Sequence, residues 1–287
     1  MNIVRVGSHS LAYDARLDAS RPPLVFVHGT PSSSREFEAV ASALTADVPF
    51  LALDHLGFGS SDKPSNADYS LEAHSQRFNE ALDTLGVTDL HLVVHDFGGP
   101  IALAALLPQW HRVRSLTLMN TWLWPLGQTE PSLESQRRIM TSGLMRFLYL
   151  RANFSARLLV PMAWGKHRPL TKAKRAQYRA AFPTSAERHG TVAFLDALFD
   201  PDEAAWTLAQ PLARAIAAQA TPVQIVWGAA DKLITQGTLK KWKFLLPQAT
   251  THVLEAVGHF VCDEAPEKVA PLLQAIVESR PKTALID

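Results

Sequence analysis

Short apolar segments that alternate with helical patterns constrain the fold of this chain more than any other feature. Six of these segments end at turn residues, and they read PPLVFVHG, VPFLALDHLG, LHLVVHD, VRSLTLMN, TPVQIVWG and THVLEAVG. Helical patterns lie between most of them or follow the last one: SREFEAVASALTA, LEAHSQRFNEALDTLG, PIALAALLP and EKVAPLLQAIVESR. Since strand–helix–strand crossovers are right-handed and align successive strands in parallel, the sequence predicts a mainly parallel sheet flanked by helices. The segment VRVGSHSLAYDA predicts an antiparallel edge to that sheet.

The alternation stops between residues 123 and 216. This stretch has helical patterns without strands, and a strand pattern returns only at TPVQIVWG. We therefore predict an α/β core domain made of residues 1–124 and 217–287, with a helical cap domain of residues 125–216 inserted into it. A length of 287 residues suits one core with such an insertion.

The first part of the predicted cap is strongly basic. Residues 134–188 contain twelve lysines and arginines but only two glutamates and no aspartate. Such a run is usually a solvated helical surface, and we favour that interpretation. The alternative is a positive mouth that draws in anionic substrates. We expect no nucleic-acid partner, because the chain's net charge is only +1 and no nucleic-acid motif accompanies the basic run.

Three absences in the sequence bear on location. There is no N-terminal apolar segment of the kind found in signal peptides, and no run of about 18 apolar residues that could span a membrane. The single cysteine, Cys262, excludes an intramolecular disulfide and suits a reducing compartment. We therefore expect a cytoplasmic protein without a membrane partner.

A polar corner interrupts the apolar pattern at residues 94–98, which read VHDFG. This segment has the form small–x–nucleophile–x–small, which holds a side chain on a strained turn between a strand and a helix. Asp96 occupies the nucleophile position. Aspartate is also an ordinary N-cap residue, so the motif alone does not separate a nucleophile from a structural turn.

Three further segments favour the interpretation of Asp96 as the nucleophile of an enzyme. His28-Gly29-Thr30 follows a buried strand, where such folds donate one oxyanion N–H, so Thr30 and Phe97 are the expected donors. Asp231 follows a late strand, and His259 follows the last one, 28 residues later. The order of nucleophile, acid and histidine is typical of this fold, and the carboxyl ends of parallel strands are where open α/β sheets bind ligands.

Several segments together resemble the haloalkane dehalogenases of the α/β-hydrolase superfamily: HGTPSSS, LDHLGFGSSDKP, VVHDFGGPIAL, MNTWLWP, YRAAFPT, WGAADKL and AVGHFV. The resemblance covers most of residues 21–126 and 178–269. It implies the α/β-hydrolase fold with an inserted cap, and hydrolysis of carbon–halogen bonds to an alcohol and a halide. Epoxide hydrolases and fluoroacetate dehalogenases share the nucleophile turn, the HGxP motif and the GHF motif.

The resemblance also implies a mechanism. Asp96, already ionised at neutral pH, would displace the halide and form an alkyl ester. His259, oriented by Asp231, would then activate a water that attacks the ester, with the Thr30 and Phe97 N–H groups holding the oxyanion. Some members take the acid from after the preceding strand, where this chain has Asn120. Neither a cofactor nor a metal is implied, and no residues have metal-ligand spacing.

Two positions depart from the family pattern. Many members have tryptophan directly after the nucleophile, and its indole N–H binds the halide, whereas this chain has Phe97. Many have asparagine or glutamate after the His-Gly pair, whereas this chain has Thr30. We expect replacement donors among Trp122, Trp124 and Trp164, although each of these side chains also suits a packing role.

Alternatives remain open at this point. An epoxide hydrolase would use the same attack by Asp96 but needs cap tyrosines, for which Tyr149 and Tyr178 are the candidates. A haloacid dehalogenase would suit the basic part of the cap. A non-catalytic binding protein would have no use for His259. The expected partner is a small halogenated aliphatic compound or an epoxide, and the expected state is a monomer or weak homo-oligomer.

Overall fold

A single eight-stranded sheet forms the centre of the molecule in the computed structural model, which describes residues 1–278. Its strands are β1 (Asn2–Val6), β2 (His9–Arg16), β3 (Leu24–Val27), β4 (Phe50–Leu53), β5 (Leu90–His95), β6 (Val113–Met119), β7 (Val223–Gly228) and β8 (Thr250–Leu254). Strands β3 to β8 run parallel, whereas β1 and β2 pair antiparallel at one edge. Both the parallel sheet and the antiparallel edge predicted from the sequence are therefore confirmed.

The strand order is β1-β2-β4-β3-β5-β6-β7-β8. The chain moves from β3 to β4 on one side and then returns to place β5 on the other side of β3. This reversal opens a crevice at the carboxyl ends of β3 and β5, the usual ligand site of an open α/β sheet. The loops after these two strands carry Thr30 and Asp96.

Strands β3, β4, β5 and β7 are buried on both faces, which explains why these central strands are mostly apolar, whereas the last strand, β8, is partly exposed. In β3, Val25 and Val27 face one apolar core, whereas Leu24 and Phe26 face the other. All four side chains are almost completely shielded from solvent. The alternation of a strand's side chains thus assigns each to one of two helical layers.

Six helices cover the sheet. These are α1 (Glu38–Ala43), α2 (Leu71–Thr84), α3 (Gly98–Leu106), α11 (Gln236–Leu245), α12 (Val261–Glu264) and α13 (Pro266–Glu278), the intervening numbers belonging to the cap. The start of α2 is set locally, because the Ser70 hydroxyl accepts a hydrogen bond from the Ala73 N–H. The last two residues of the helix predicted from EKVAPLLQAIVESR, and the end of the predicted core domain, lie outside the described residues.

The segment predicted to form the cap consists of helices and connecting loops. Residues 120–222, all of them described, contain no strand. Their helices are α4 (Pro131–Ser135), α5 (Arg137–Met140), α6 (Gly143–Ala152), α7 (Val160–Ala163), α8 (Lys172–Ala180), α9 (His189–Leu198) and α10 (Ala209–Gln219), with a π-helical turn at Ser155–Leu159 before α7. Division into two domains at residues 124 and 217 stays a prediction. Among residues 1–278, no helix combines the length and apolar content that crossing a membrane requires.

Candidate active site

Asp96 stands at a strained corner between β5 and α3. Its φ is +51°, a left-handed conformation that a residue with a side chain seldom adopts. A Cβ at Gly98 would overlap the carbonyl oxygen of Val27, so the helix can approach β3 this closely only with glycine there. The turn therefore holds the Asp96 carboxylate above the carboxyl ends of the strands, as the motif predicts.

The Asp96 carboxylate meets groups that favour its ionised form. The Thr30 N–H donates to Oδ2 at 2.7 Å, and His259 Nε2 lies 3.6 Å from Oδ1. Burial opposes ionisation, but the hydrogen bond and charge of His259, aided by the Thr30 N–H, outweigh it and hold the pKa of Asp96 below its ordinary value. Asp96 is thus a carboxylate with one oxygen engaged by a backbone donor and the other facing the imidazole.

His259 is joined to Asp231 by a hydrogen bond of 2.7 Å between Nδ1 and Oδ2. Asp231 is itself held by Asn120 Nδ2 at 2.8 Å and by the N–H groups of Leu233 and Ile234. Burial disfavours the imidazolium, yet the charges and hydrogen bonds of Asp231 and Asp96 raise the pKa of His259 well above its ordinary value. The structure therefore places Asp96, Asp231 and His259 together, with His259 hydrogen-bonded to Asp231 and 3.6 Å from Asp96.

A second buried pair supports the same histidine from behind. His95 Nε2 lies 2.8 Å from the carbonyl oxygen of His259, and its Nδ1 lies 2.8 Å from Glu36 Oε1. Both His95 and Glu36 are buried. None of the sequence motifs assigned a supporting role to His95, Glu36 or Asn120. The available signals were that His95 directly precedes Asp96 and that Asn120 directly follows β6, the neighbour of the strand that Asp96 follows.

A largely apolar cavity of about 570 Å³ opens above Asp96. Asp96, Thr30, Phe97 and His259 form its floor. Cap side chains form most of its walls: Leu133, Ile139, Met140, Met145, Tyr149, Phe154, Leu158, Leu159, Met162, Phe194, Leu195 and Leu198. Such a cavity suits a small apolar ligand that presents one reactive carbon to the carboxylate. Within residues 1–278, no group of three or more His, Cys, Asp or Glu side chains is arranged to hold a metal ion.

The three tryptophans that were candidate donors occupy different environments. Trp122 lines the cavity, packs edge-on against Phe97 with ring centroids 5.0 Å apart, and has a buried Nε1 without a partner among the described residues. Trp124 and Trp164 do not line the cavity. Their indole N–H groups donate to Thr129 Oγ1 at 3.1 Å and to the Arg168 carbonyl oxygen at 2.7 Å. Of the three, only Trp122 is positioned to contact a ligand.

The cap is joined to the loop that carries His259. The His259 N–H donates to the carbonyl oxygen of Ala163 at 2.9 Å, and Glu264 accepts from the N–H groups of both Gly165 and Gly258. Burial raises the pKa of Glu264 to about 7. Farther along, Asp263 accepts from Tyr178 at 2.8 Å and from Lys174 at 2.7 Å. This side of the cap is thus hydrogen-bonded to the loop that carries His259 and to the helix that follows it.

Comparison with known proteins agrees with this architecture. The family described as alpha/beta hydrolase fold matches residues 22–266. Haloalkane dehalogenase 2 of Mycobacterium bovis is 31% identical over 264 residues, which span 91% of this chain and 88% of that protein. A cis-3-alkyl-4-alkyloxetan-2-one decarboxylase of Shewanella oneidensis is 30% identical over 252 residues, 86% of this chain and 79% of that protein.

Solved structures show the same fold. The crystal structure of a putative ancestral haloalkane dehalogenase superposes with a TM-score of 0.84 at 24% identity, covering 96% of this chain and 98% of that one. The fold and the sequence relationship point the same way, and the resemblance seen in the sequence is confirmed. The chain therefore belongs to the α/β-hydrolase family and, within it, to the haloalkane dehalogenases.

Proposed function

We propose that this enzyme hydrolyses the carbon–halogen bond of haloalkanes to give an alcohol, a halide ion and a proton. The observation that carries the proposal is the Asp96 carboxylate on the floor of an apolar cavity, with Oδ2 bound by the Thr30 N–H and Oδ1 facing His259. A carboxylate whose pKa lies below its ordinary value is ready to attack without losing a proton.

In the first half-reaction, Asp96 Oδ1 attacks the carbon that carries the halogen. The new oxygen–carbon bond forms as the carbon–halogen bond breaks, and the halide leaves with the bonding electrons. Oδ2 becomes the carbonyl oxygen of the ester, held by the Thr30 N–H. The Phe97 N–H is the second proposed donor, because Phe97 precedes α3 and the first N–H groups of a helix have no partner within it.

The leaving halide needs hydrogen-bond donors, and two are proposed. Trp122 Nε1 and Thr30 Oγ1 are both buried, both belong to residues lining the cavity, and neither has a partner among residues 1–278. An unsatisfied buried donor costs stability unless a ligand engages it, so these groups suit an anion. In this proposal, they replace the donor that Phe97 lacks.

In the second half-reaction, His259 removes a proton from a water that attacks the ester carbonyl carbon. Formation of the ester removes the negative charge of Asp96, one of the causes that raise the pKa of His259. The pKa of His259 therefore falls when a base is needed, while Asp231 keeps the ring oriented. Collapse of the tetrahedral intermediate releases the alcohol and restores the Asp96 carboxylate.

Opening of a strained oxygen ring is the second candidate. Tyr149 lines the cavity, and its hydroxyl has no hydrogen-bond partner among residues 1–278. Burial and the charge of Asp96 raise the pKa of Tyr149, so it stays a proton donor for a ring oxygen. Tyr178, the other candidate, instead donates to Asp263. An epoxide or an oxetan-2-one, the ring named for the Shewanella oneidensis relative, would fit this chemistry.

Haloacid hydrolysis has less support. The basic residues of the cap that suggested it do not line the cavity within the described chain, where Lys232 of the core is the lysine among the lining residues. Glu130 also lines the cavity and is buried, and this disfavours binding of a haloacid, because its carboxylate would lie near that of Glu130. A cytoplasmic location and a monomeric or weakly associating state stay predictions.

The experiment is a substrate panel. Wild-type enzyme and Asp96→Ala are incubated with 1-bromobutane, 1,2-dibromoethane, styrene oxide, bromoacetate and a dialkyl oxetan-2-one, and bromide, diol and alkene release are followed. We expect wild-type enzyme to release bromide from the two bromoalkanes. We expect Asp96→Ala to release none, although its melting curve should match that of wild type. If diol or alkene were released but no bromide, ring opening would be the activity in place of dehalogenation. Bromide release by Asp96→Ala would refute the mechanism.

A further inference from the structure

The outer wall of the cap carries a concentration of exposed apolar side chains. Ten large apolar side chains are exposed among residues 1–278, and half of them fall within residues 139–162: Ile139, Leu144, Phe147, Leu158 and Met162. Their exposed fractions run from 41% to 69%. A single exposed leucine is ordinary, but several close together mark a surface that contacts something.

Three of these side chains lie at the opening of the cavity. Ile139, Leu158 and Met162 line the cavity and are also exposed, so they lie where it meets solvent. The helix α6 points Met145 and Tyr149 into the cavity. Its Leu144 and Phe147, three residues apart, form an exposed stripe on the other side of the helix.

Unpaired arginines accompany the apolar side chains. Arg138, Arg151 and Arg157 are exposed and form no ion pair within residues 1–278. Arg138 and Arg157 directly precede Ile139 and Leu158, and Arg151 lies one turn beyond Phe147 on the same stripe. Long basic side chains that flank apolar ones at a surface are typical of helices lying in the interface of an anionic membrane.

The positive charge of the molecule is concentrated in the same part of the cap. Residues 134–188 carry twelve basic and two acidic side chains, net +10, which leaves −9 for the rest of a chain whose net charge is +1. This division turns residues 134–188, rather than the acidic end of the cap at residues 196–203, toward an anionic surface. A symmetric dimer through the same face would place two basic caps against each other, which disfavours a second copy as the occupant.

We propose that residues 137–162 of the cap dock on an anionic lipid bilayer. Ile139, Leu144, Phe147, Leu158 and Met162 enter the boundary between headgroups and acyl chains, and the three arginines contact lipid phosphates. Docking of this kind needs no spanning helix, and it replaces the expectation of no membrane partner. If the proposed function holds, a long-chain lipophilic substrate passes from the bilayer into the cavity mouth without crossing water.

The test is co-sedimentation of the full chain with vesicles, without any substrate. Vesicles of phosphatidylcholine alone are compared with vesicles that also contain phosphatidylglycerol. We expect binding to the anionic vesicles, weakened by salt, and at least about tenfold weaker binding in the double variant Leu144→Asp/Phe147→Asp. Replacing both Arg138 and Arg157 by glutamine should weaken binding about thirtyfold, since each basic side chain near the surface contributes about fivefold.

Phe244→Asp is the matched control. Phe244 is 82% exposed and stands next to Lys243, but it lies on α11 of the core. It should bind vesicles as wild type does, and melting curves check that every variant is folded. Neither Leu144 nor Phe147 lines the cavity, so turnover of a small water-soluble substrate should not change in the double variant.

Three results would overturn the proposal. The first is absence of wild-type binding to anionic vesicles. The second is equal binding by the double variant and wild type. The third is a dimer, detected by analytical ultracentrifugation, that the double variant abolishes, while wild type does not bind vesicles. This result would make the face an interface between copies. Because vesicle binding is read without substrate, its failure is distinct from failure of the proposed hydrolysis.

Discussion

The carboxyl ends of the parallel strands (the sheet edge) and the cap above them enclose the same cavity but are built in opposite ways. At the sheet edge, Asp96, Asp231 and His259 are each engaged by named partners, and Asp231 alone accepts from Asn120, Leu233, Ile234 and His259. The cap wall is rich in leucine, methionine and phenylalanine, although polar side chains such as Glu130 and Tyr149 also line it.

This difference separates the two tasks of the enzyme. A densely hydrogen-bonded array holds reacting groups in place, whereas an apolar wall of flexible side chains accepts ligands of several shapes. Changes at the sheet edge should therefore affect turnover for any substrate. Changes in the cap should depend on which substrate is offered, or should affect only stability and surface binding.

The largest effect is expected at the sheet edge. His259→Gln should lower multiple turnover of 1-bromobutane by about 10²- to 10⁴-fold, because it removes the base that activates water. Attack by Asp96 needs no proton transfer, so an alkyl ester should accumulate. Intact-protein mass spectrometry would show the added alkyl mass, and peptide mapping would place it at Asp96.

Two variants control this experiment. His259→Phe tests whether the result depends on the replacement side chain, and Asp96→Ala should form no adduct at all. Full multiple turnover in both histidine variants would refute the role of His259 as a base. Absence of an adduct in both, on a substrate that wild type consumes and the variants still bind, would count against the covalent intermediate.

An intermediate effect is expected at Trp122, where the sheet edge meets the cavity wall. Trp122→Phe removes the unpartnered N–H and should lower kcat/KM for 1-bromobutane about 10- to 100-fold, as a hydrogen bond to a charged group is typically worth about 1.5–3 kcal/mol. Inhibition by bromide should weaken in parallel. Steady-state kinetics with added bromide measures both quantities.

Trp227→Phe is the matched control for Trp122. Trp227 also has a buried Nε1 without a partner among residues 1–278, but it lies in β7 and does not line the cavity. Its replacement should leave kcat/KM and bromide inhibition unchanged. If the two variants behaved alike in both measurements, Trp122 would have no part in binding the halide.

A smaller effect is expected in the cap wall. Tyr149→Phe should change kcat/KM for 1-bromobutane by no more than about twofold, because halide departure needs no proton. On styrene oxide, any activity that wild type has should fall sharply in the same variant, since the ring oxygen loses its donor. A large loss on the bromoalkane would mean that Tyr149, rather than Trp122, serves the halide.

The smallest effect is expected where the cap is fastened to the core. Burial raises the pKa of Glu264 to about 7, above its ordinary value of 4.5, so the folded state holds this proton more tightly than the unfolded chain. The resulting stabilisation is fully present below about pH 4.5 and is lost as the pH rises through about 7. Glu264→Gln should therefore flatten the pH dependence of Tm in this window.

Melting curves between pH 4.5 and 8 measure this difference, and a change of about 1 kcal/mol corresponds to about 2–4 °C for a chain of this size. Glu267→Gln is the control, because Glu267 is exposed and pairs with His167 and Arg168 on the same side of the cap. Identical pH profiles for wild type and Glu264→Gln would show that Glu264 does not titrate in this range.

The fold was predictable because its signal is local and repeated. Each of the six apolar runs became a strand, β3 to β8, and the central ones are mostly apolar because both of their faces are buried. The cap was recognisable as a strandless interval, yet its arrangement was not. Its helices are short, and their side chains contact residues far away in sequence, as Tyr178 does with Asp263.

Sequence by itself determined which residues meet at the sheet edge. Asp96, Asp231 and His259 each follow a strand, and parallel strands present their carboxyl ends at one edge, so strand order and spacing suffice to bring them together. Tertiary structure alone decided which indole N–H is free. The indole N–H groups of Trp124 and Trp164 donate to Thr129 and Arg168, whereas that of Trp122 has no partner among residues 1–278. A sequence pattern does not show where the hydrogen-bond partner of a side chain lies. The same holds for the cap surface: local sequence contains Leu144 and Phe147, but only packing of α6 against the cavity leaves them exposed.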